Sequence, residues 1–271
     1  MGHFSRLDDQ DFPSFESGSV WLVGAGPGAP GLLSLLGYYA LGKAQTIIYD
    51  ALVSPKMLKM ANPKAEMIFA GKRGGKPSIS QDDISKTLIA KAKAGKRVLR
   101  LKGGDPFMFG RGGEECLALN EAGIKFRLVP GVSAGIGGLA YAGIPLTLRQ
   151  TNQSVVFLTG HDENGTVPQS VDWAAIATAS PVIVMYMALK HLPAIAEKLL
   201  DAGRDPKDAL AIISNASLPE QSVVETTLEG VRDFLLQNKI ATPAIMVLGP
   251  VTGYREALDW FDDDMRGNDF G

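Results

Sequence analysis

The residue types best suited to chemistry gather in one stretch, Lys102-Gly103-Gly104-Asp105-Pro106-Phe107-Met108-Phe109-Gly110-Arg111-Gly112-Gly113-Glu114-Glu115. Five glycines there bring backbone close to a ligand, because glycine has no Cβ and tolerates positive φ. Asp105 can accept hydrogen bonds from a ribose or an ammonium group. Arg111 supplies a permanent cation whose planar fork matches a carboxylate. A plain loop needs no such density of glycine, acid and arginine, so the stretch reads as ligand-binding.

Three further segments stay open between two readings. Gly24-Ala25-Gly26-Pro27-Gly28-Ala29 satisfies G-x-G-x-x-A, and Asp50 ends the next apolar run. That is the skeleton of a dinucleotide fingerprint, but also of a tight strand-to-helix turn. Pro27 and Pro30 oppose a helix that starts at once, which a pyrophosphate site needs. Gly71-Lys72-Arg73-Gly74-Gly75-Lys76 fits an anion-binding nest or a solvated basic turn, and its spacing is not that of a Walker A loop. Pro130-Gly131-Val132-Ser133-Ala134-Gly135 fits a helix start facing a ligand, or close helix–sheet packing. Cys116 reads as buried filler, and His161 has no evident partner in the sequence. Neither receives a role, and Met185 and Met187 read by default as core residues.

The elements that must position these residues alternate. Val20–Val23, Thr46–Tyr49, Glu66–Phe69, Arg97–Leu101 and Phe126–Val129 read as strands, and Leu32–Leu41 and Gln81–Ala94 as helices. Ser80 is placed to cap the second helix with Asp83 three residues on, and Gly95 to stop it. The alternation predicts an α/β domain with a largely parallel sheet, its ligands beyond the carboxyl ends of the strands. Both glycine clusters fall on that edge. The second half repeats the rhythm, with strands at Val155–Leu158, Val182–Met185, Leu210–Ile213 and Ala244–Leu248, and helices at Leu192–Leu200 and Leu228–Leu236. The fold class is therefore α/β, as two α/β domains with a cleft between them. Residues 1–18 are expected as a flexible tail, 19–150 as the first domain and 151–271 as the second, with the polar segment Arg149–Gln153 as the boundary.

Composition narrows the function classes. The formal net charge is −2 over 271 residues, which offers no global attraction to nucleic acid or anionic lipid. One cysteine rules out an intramolecular disulfide and suits a reducing cytoplasm. The three histidines lie far apart and lack ligand spacing, so no metal is expected. No signal peptide is evident, and no apolar run approaches the ~20 residues needed to span a bilayer.

Taken in order, VWLVGAGPGAPGLLSL, YDALVS, GKRGGKPSISQDDI, VLRLKGGDPFMFGRGGEE, VPGVSAGIGGLAYAGIPLTLR, MYMALK and ATPAIMVLG resemble the tetrapyrrole methylase family over roughly residues 19–250. The resemblance implies two α/β domains with S-adenosyl-L-methionine in the cleft, S-adenosyl-L-homocysteine as its product, and a homodimer. By motif position it assigns Pro27, Gly103, Gly104, Asp105, Met108, Ser133, Ala134, Met187 and Ala216 to the cofactor. It makes Asp50 the proton acceptor and Lys72 the proton donor. Arg111, Glu114 and Arg149 then face the tetrapyrrole. Departures are Val132 and Ser133 where Ile and Thr are common, and Ala188 and Ala216 where glycine is frequent. The length matches the stand-alone form.

The reaction so implied moves a methyl group to C2 and then C7 of uroporphyrinogen III, through precorrin-1 to precorrin-2, for sirohaem, cobalamin or haem d1. Arg111, Arg149, Lys72 and Arg73 are the natural partners of the substrate's carboxylates. Asp50 is the nominee for the base, since a guanidinium with a pKa above ~12 is a poor one. Arg111 is expected to bind and orient substrate. Alternatives are methylation of a later corrin intermediate, a relative that methylates RNA, a nicotinamide oxidoreductase, and a non-catalytic sensor of the cofactor. The RNA reading prefers a basic face that this charge does not supply.

Overall fold

A computed structural model describes residues 12–71, 80–262 and 264–266. The chain divides into two compact units, one up to Val132 and one from Ser133.

In the first unit β1 (Val20–Gly24) is flanked by β4 (Val98–Lys102) and β5 (Phe126–Val129), and β2 (Thr46–Tyr49) and β3 (Glu66–Phe69) extend the sheet in the order β3-β2-β4-β1-β5. Every pairing is parallel. A parallel sheet is covered on both faces, so β1 is buried at all five positions and reads as a continuous apolar run. Alternation divides it between two layers. Trp21 and Val23 join Leu99, Leu101 and Ile47 against Ala40 and Leu41 of α1 (Leu35–Lys43) and Met57 of α2 (Pro55–Leu58). Val20 and Leu22 join Val98 and Ile48 against Ile84 and Leu88 of α3 (Gln81–Lys93) and Cys116 and Leu119 of α4 (Gly112–Glu121). The α3 terminus is capped as its sequence predicts. Ser80 Oγ accepts from the Asp83 N–H at 3.1 Å and donates to Asp83 Oδ2 at 2.7 Å. Gly95 follows at φ +76°.

Two expectations change here. The fold does not wait until Ser19: Phe15 is buried and stacks on Trp21 at 4.5 Å, and Phe12 stacks on Tyr39 at 4.8 Å. Aromatic burial outweighs the polar look of that segment. The first helix begins at Leu35 rather than Leu32, because Pro30–Leu32 forms a 3₁₀ turn and Ser34 caps α1 by accepting from the Gly37 N–H at 3.1 Å.

The second unit starts with a π-helical turn, Ala134–Gly138, running into the short α5 (Leu139–Tyr141). Its sheet has the order β6-β7-β10-β8-β9, built from β6 (Val155–Thr159), β7 (Val182–Tyr186), β8 (Ala209–Ser214), β9 (Ser222–Thr227) and β10 (Ala244–Leu248). β6 and β7 are parallel, whereas β10 runs antiparallel to both β7 and β8, and β9 antiparallel to β8. One face carries α6 (Trp173–Ala179), α7 (Leu192–Asp201) and α8 (Val231–Gln237) over Ile183, Met185, Leu210 and Met246. Leu228–Gly230 turns before α8 begins, so that helix starts three residues later than the spacing predicts. A 3₁₀ turn over Pro250–Tyr254 leads into α9 (Arg255–Leu258).

The other face explains why the unit begins at Ser133 and not at 151. Leu139, Ala142 and Ile144 lie in one apolar cluster with Val182, Val184, Ala211, Ile213, Ile245 and Val247. The segment 133–150 covers the second sheet, so the polar turn at Arg149–Gln153 lies inside the second unit.

Candidate functional site

Because the first sheet is parallel, the carboxyl ends of β1, β2, β4 and β5 share one edge. Gly24, Gly104 and Gly131 meet there backbone to backbone. A Cβ on Gly131 would lie 2.3 Å from the Gly104 carbonyl oxygen, and one on Gly24 2.5 Å from Gly131 Cα. Gly26 and Gly104 exchange N–H···O bonds of 3.1 and 2.8 Å, locking the loop after β1 to the loop after β4. Gly104 has φ +65° and open space where a side chain would stand. Its backbone is therefore free to approach a ligand, which suits the role that the resemblance gives it.

Asp105 builds this edge as well as lining it. Its Oδ1 accepts from the Phe107 N–H at 2.8 Å and its Oδ2 from the Gly131 N–H at 3.0 Å. A carboxylate oxygen retains further acceptor capacity after one such bond. Pro27 and Met108 are half-buried on the same edge's loops. The loop from Gly28 does not run straight into a helix, since α1 starts at Leu35. A dinucleotide fingerprint needs that helix N-terminus, so the turn reading holds for the first motif.

The Phe107–Arg111 loop places Phe109 (φ +52°) and Arg111 (φ +59°) in the left-handed region, and both Phe107 and Phe109 are exposed. Arg111 is also the N-cap residue of α4. Its guanidinium forks onto Glu114, with Nε 2.9 Å from Oε1 and Nη2 2.5 Å from Oε2. This charge-assisted bond holds the Glu114 carboxyl below the usual carboxylate range and raises Arg111 above its ordinary value. Two residues expected to face substrate are thus brought together, exposed and paired with each other.

Asp50, just past β2, is bonded through Oδ1 to Arg100 Nη2 at 2.5 Å. Arg100, Lys102 and Glu115 form a buried charged group around it, and sequence reasoning gave none of them a role. A signal existed: Arg100 and Lys102 stand two apart in the strand Val98-Leu99-Arg100-Leu101-Lys102, so both sit on one face of a buried sheet. Lys72, the expected proton donor, lies outside the described residues, as does Arg73.

The second unit gathers the remaining cofactor candidates. β6, β7 and β8 run in one direction, so Met187 after β7 and Ala216 after β8 share their carboxyl edge. Met187 has φ +53° and is 44% exposed. The π-helical turn sits on the same sheet, where a Cβ on Gly138 would lie 2.9 Å from Ala216 Cβ. Tyr186 pins the turn's start: its hydroxyl lies 2.7 Å from Ser133 Oγ and accepts from the Gly135 N–H at 2.8 Å. Tyr186 also lacked a role in the sequence reading, though it stands immediately before Met187. Tyr186→Phe is expected to cost about 1–2 kcal/mol by removing these bonds at a buried serine and a buried amide. Urea unfolding reads it, and wild-type stability would refute the pin. Arg149 is exposed in the turn between Leu148 and Asn152.

Cys116 is buried, and burial pushes its thiol up, which suits packing and not nucleophilic work. His161 Nδ1 lies 3.0 Å from its neighbour's carbonyl at Asp162. Among the described residues no cluster of His, Cys, Asp and Glu suits a metal, and no helix is long and apolar enough to cross a membrane.

A sheet edge closed by glycine backbone, with an acid and an arginine–glutamate pair beside it, defines a small-ligand-binding α/β protein. The chain belongs to the tetrapyrrole (corrin/porphyrin) methylase family, whose pattern matches residues 19–232. It is 57% identical over 248 residues to a uroporphyrinogen-III C-methyltransferase of Sinorhizobium sp, covering 92% of this chain and 89% of that one. It is 43% identical over 258 residues to a siroheme synthase of Tolumonas auensis; this covers 95% of the chain but only 54% of that longer protein. The fold matches the uroporphyrin-III C-methyltransferase of Thermus thermophilus complexed with S-adenosyl homocysteine, with a TM-score of 0.76 and 36% identity over 87% of this chain and 99% of that one.

Proposed function

We propose that this chain transfers the methyl group of S-adenosyl-L-methionine to C2 and then C7 of uroporphyrinogen III, giving precorrin-2 through precorrin-1, as a cytoplasmic homodimer. The observation that carries this reading is the 57% identity to a uroporphyrinogen-III C-methyltransferase across 92% of the chain. The glycine-closed edge supports it, because it offers open backbone at Gly104 for a bulky polar ligand. The likeness to the Thermus thermophilus complex favours this cofactor over a nicotinamide.

Bound cofactor would supply an electrophilic methyl carbon on a sulfonium, whose bond electrons leave with the sulfur. Gly103, Gly104, Asp105, Pro27 and Met108, with Ser133, Ala134, Met187 and Ala216, are the residues that would hold it. The pyrrole's π electrons form the new carbon–carbon bond, so the protein's work is alignment and charge management. Arg111 and Arg149 offer guanidinium forks to the substrate's carboxylates, and Arg111 can exchange its Glu114 partner for one of them. Methylation leaves a cationic ring, and the Asp50 carboxylate takes the proton that ring must lose. Lys72 is the proposed donor. A permanent guanidinium at Arg111 is the poorer base.

Anaerobic incubation with uroporphyrinogen III and S-adenosylmethionine, read by mass spectrometry, tests the reading. Two added methyl groups are expected. Cofactor binding with no methyl gain would exclude this substrate and point to a later corrin intermediate or a sensing role. Arg111→Lys keeps the charge and loses the fork, so turnover should fall about tenfold or more. Full activity in that variant would remove Arg111 from substrate binding.

A further inference from the structure

β4 carries two cations on its buried face. Arg100 is 2% exposed and Lys102 3%. Arg100 divides its fork between two carboxylates, Nη2 reaching Asp50 Oδ1 at 2.5 Å and Nε reaching Glu115 Oε1 at 3.1 Å. Its Nη1 lies 3.4 Å from the carbonyl oxygens of Ile48 and Leu101. Glu115, wholly buried in the first turn of α4, collects Lys102 Nζ at 3.1 Å and Gln81 Nε2 at 2.9 Å on the same oxygen. Glu115 Oε2 is buried with no hydrogen-bond partner among the described residues.

Stability does not account for this group. Removing charges from water is costly, and apolar side chains of similar volume commonly serve a core as well or better. An unpartnered carboxylate oxygen adds to the cost. The group instead connects two places. At one end is Asp50, a quarter exposed past β2. At the other is the start of α4, where Arg111 and Glu114 are exposed and Glu115, the next residue, points into the core.

We propose that Arg100 and Glu115 are positioning residues, a buried link that holds the Asp50 carboxylate in register with the Arg111–Glu114 pair so that base and substrate clamp are presented together. The proposal rests on the function given above, from which Asp50 and Arg111 take their roles. Arginine suits the link because one planar group serves both carboxylates in fixed geometry, which a lysine cannot do. Burial, and then the neighbouring Arg100 charge, push the Lys102 ammonium below the ordinary lysine range.

Arg100→Lys and the apolar pair Arg100→Met/Glu115→Leu test it beside the wild type. The readouts are kcat and KM for uroporphyrinogen III, the calorimetric Kd for S-adenosylhomocysteine, and the thermal midpoint. Both variants should lose about 10- to 100-fold in kcat, as small misplacement of reacting groups does, with KM and Kd held within about threefold. A folded apolar pair with wild-type kcat would overturn the link, and so would a change confined to KM or Kd. Failure of both variants to fold would make the group structural and overturn it too. A wild type that transfers no methyl group would instead overturn the functional reading, and the link with it.

Discussion

Asp50→Asn should lower the methyl-transfer rate by about 10²- to 10⁴-fold, the usual range for removing a positioned base. The amide keeps the size of the carboxylate and can still accept from Arg100, but it cannot take a proton. The local structure should survive. Arg100 retains its bond to Glu115 and its approach to two backbone carbonyls when the Asp50 charge is gone. The cofactor candidates Gly103, Gly104 and Asp105 are held by backbone contacts and by the Asp105 bonds to Phe107 and Gly131, none of which involves Asp50. Cofactor Kd should therefore stay within a few-fold while the single-turnover rate collapses. A wild-type rate in Asp50→Asn would remove Asp50 from proton transfer and transfer that work to a group outside the described residues, such as Lys72. A collapse of cofactor binding would make its role one of architecture.

How much of this was legible depended on what each residue packs against. The inner strands β1 and β2 are covered on both faces and show as apolar runs, and the Ser80 cap with Asp83 marked the start of α3 to the residue. The edge strand β9, Ser-Val-Val-Glu-Thr-Thr, has one hydrogen-bonded neighbour and little buried surface, so its pattern stays faint. The helix α6, Trp-Ala-Ala-Ile-Ala-Thr-Ala, buries mainly Trp173 and Ala177 and offers little periodicity to read. The boundary at Ser133 was hidden for another reason: residues 139–144 are assigned by which sheet they cover, and that is a long-range fact. Among the candidate site residues, Gly104, Asp105 and Arg111 announce themselves by type and spacing. Arg100 and Glu115 do not, because a charged residue in a strand or helix looks solvated until its burial is known. Tyr186 has the same history, its hydroxyl partners lying 51 and 53 residues away in the chain.

Gly131→Ala carries the largest expected stability effect at the glycine edge. Its φ is not positive, so the argument is one of space alone. The added methyl would sit 2.3 Å from the Gly104 carbonyl oxygen and 2.7 Å from Gly24 Cα, both backbone atoms of neighbouring strand ends. No side chain can rotate away to relieve it. The Pro130–Val132 turn must move off the sheet edge, which also lengthens the bond from the Gly131 N–H to Asp105 Oδ2. Overpacking together with the loss of a charge-assisted bond should cost roughly 2–5 kcal/mol. Cofactor affinity should fall with it, since Asp105 and Gly104 are displaced together. Gly113→Ala is the control in the same glycine-rich region. A Cβ there meets nothing within 4 Å, and the residue lies in the first turn of α4. Alanine at that helical position should be neutral or stabilising by up to about 1 kcal/mol. Urea unfolding of both variants, with calorimetric titration of S-adenosylhomocysteine, separates the two cases. Equal stability in Gly131→Ala and Gly113→Ala would mean that the close backbone approach of β1, β4 and β5 is not what the glycines are for.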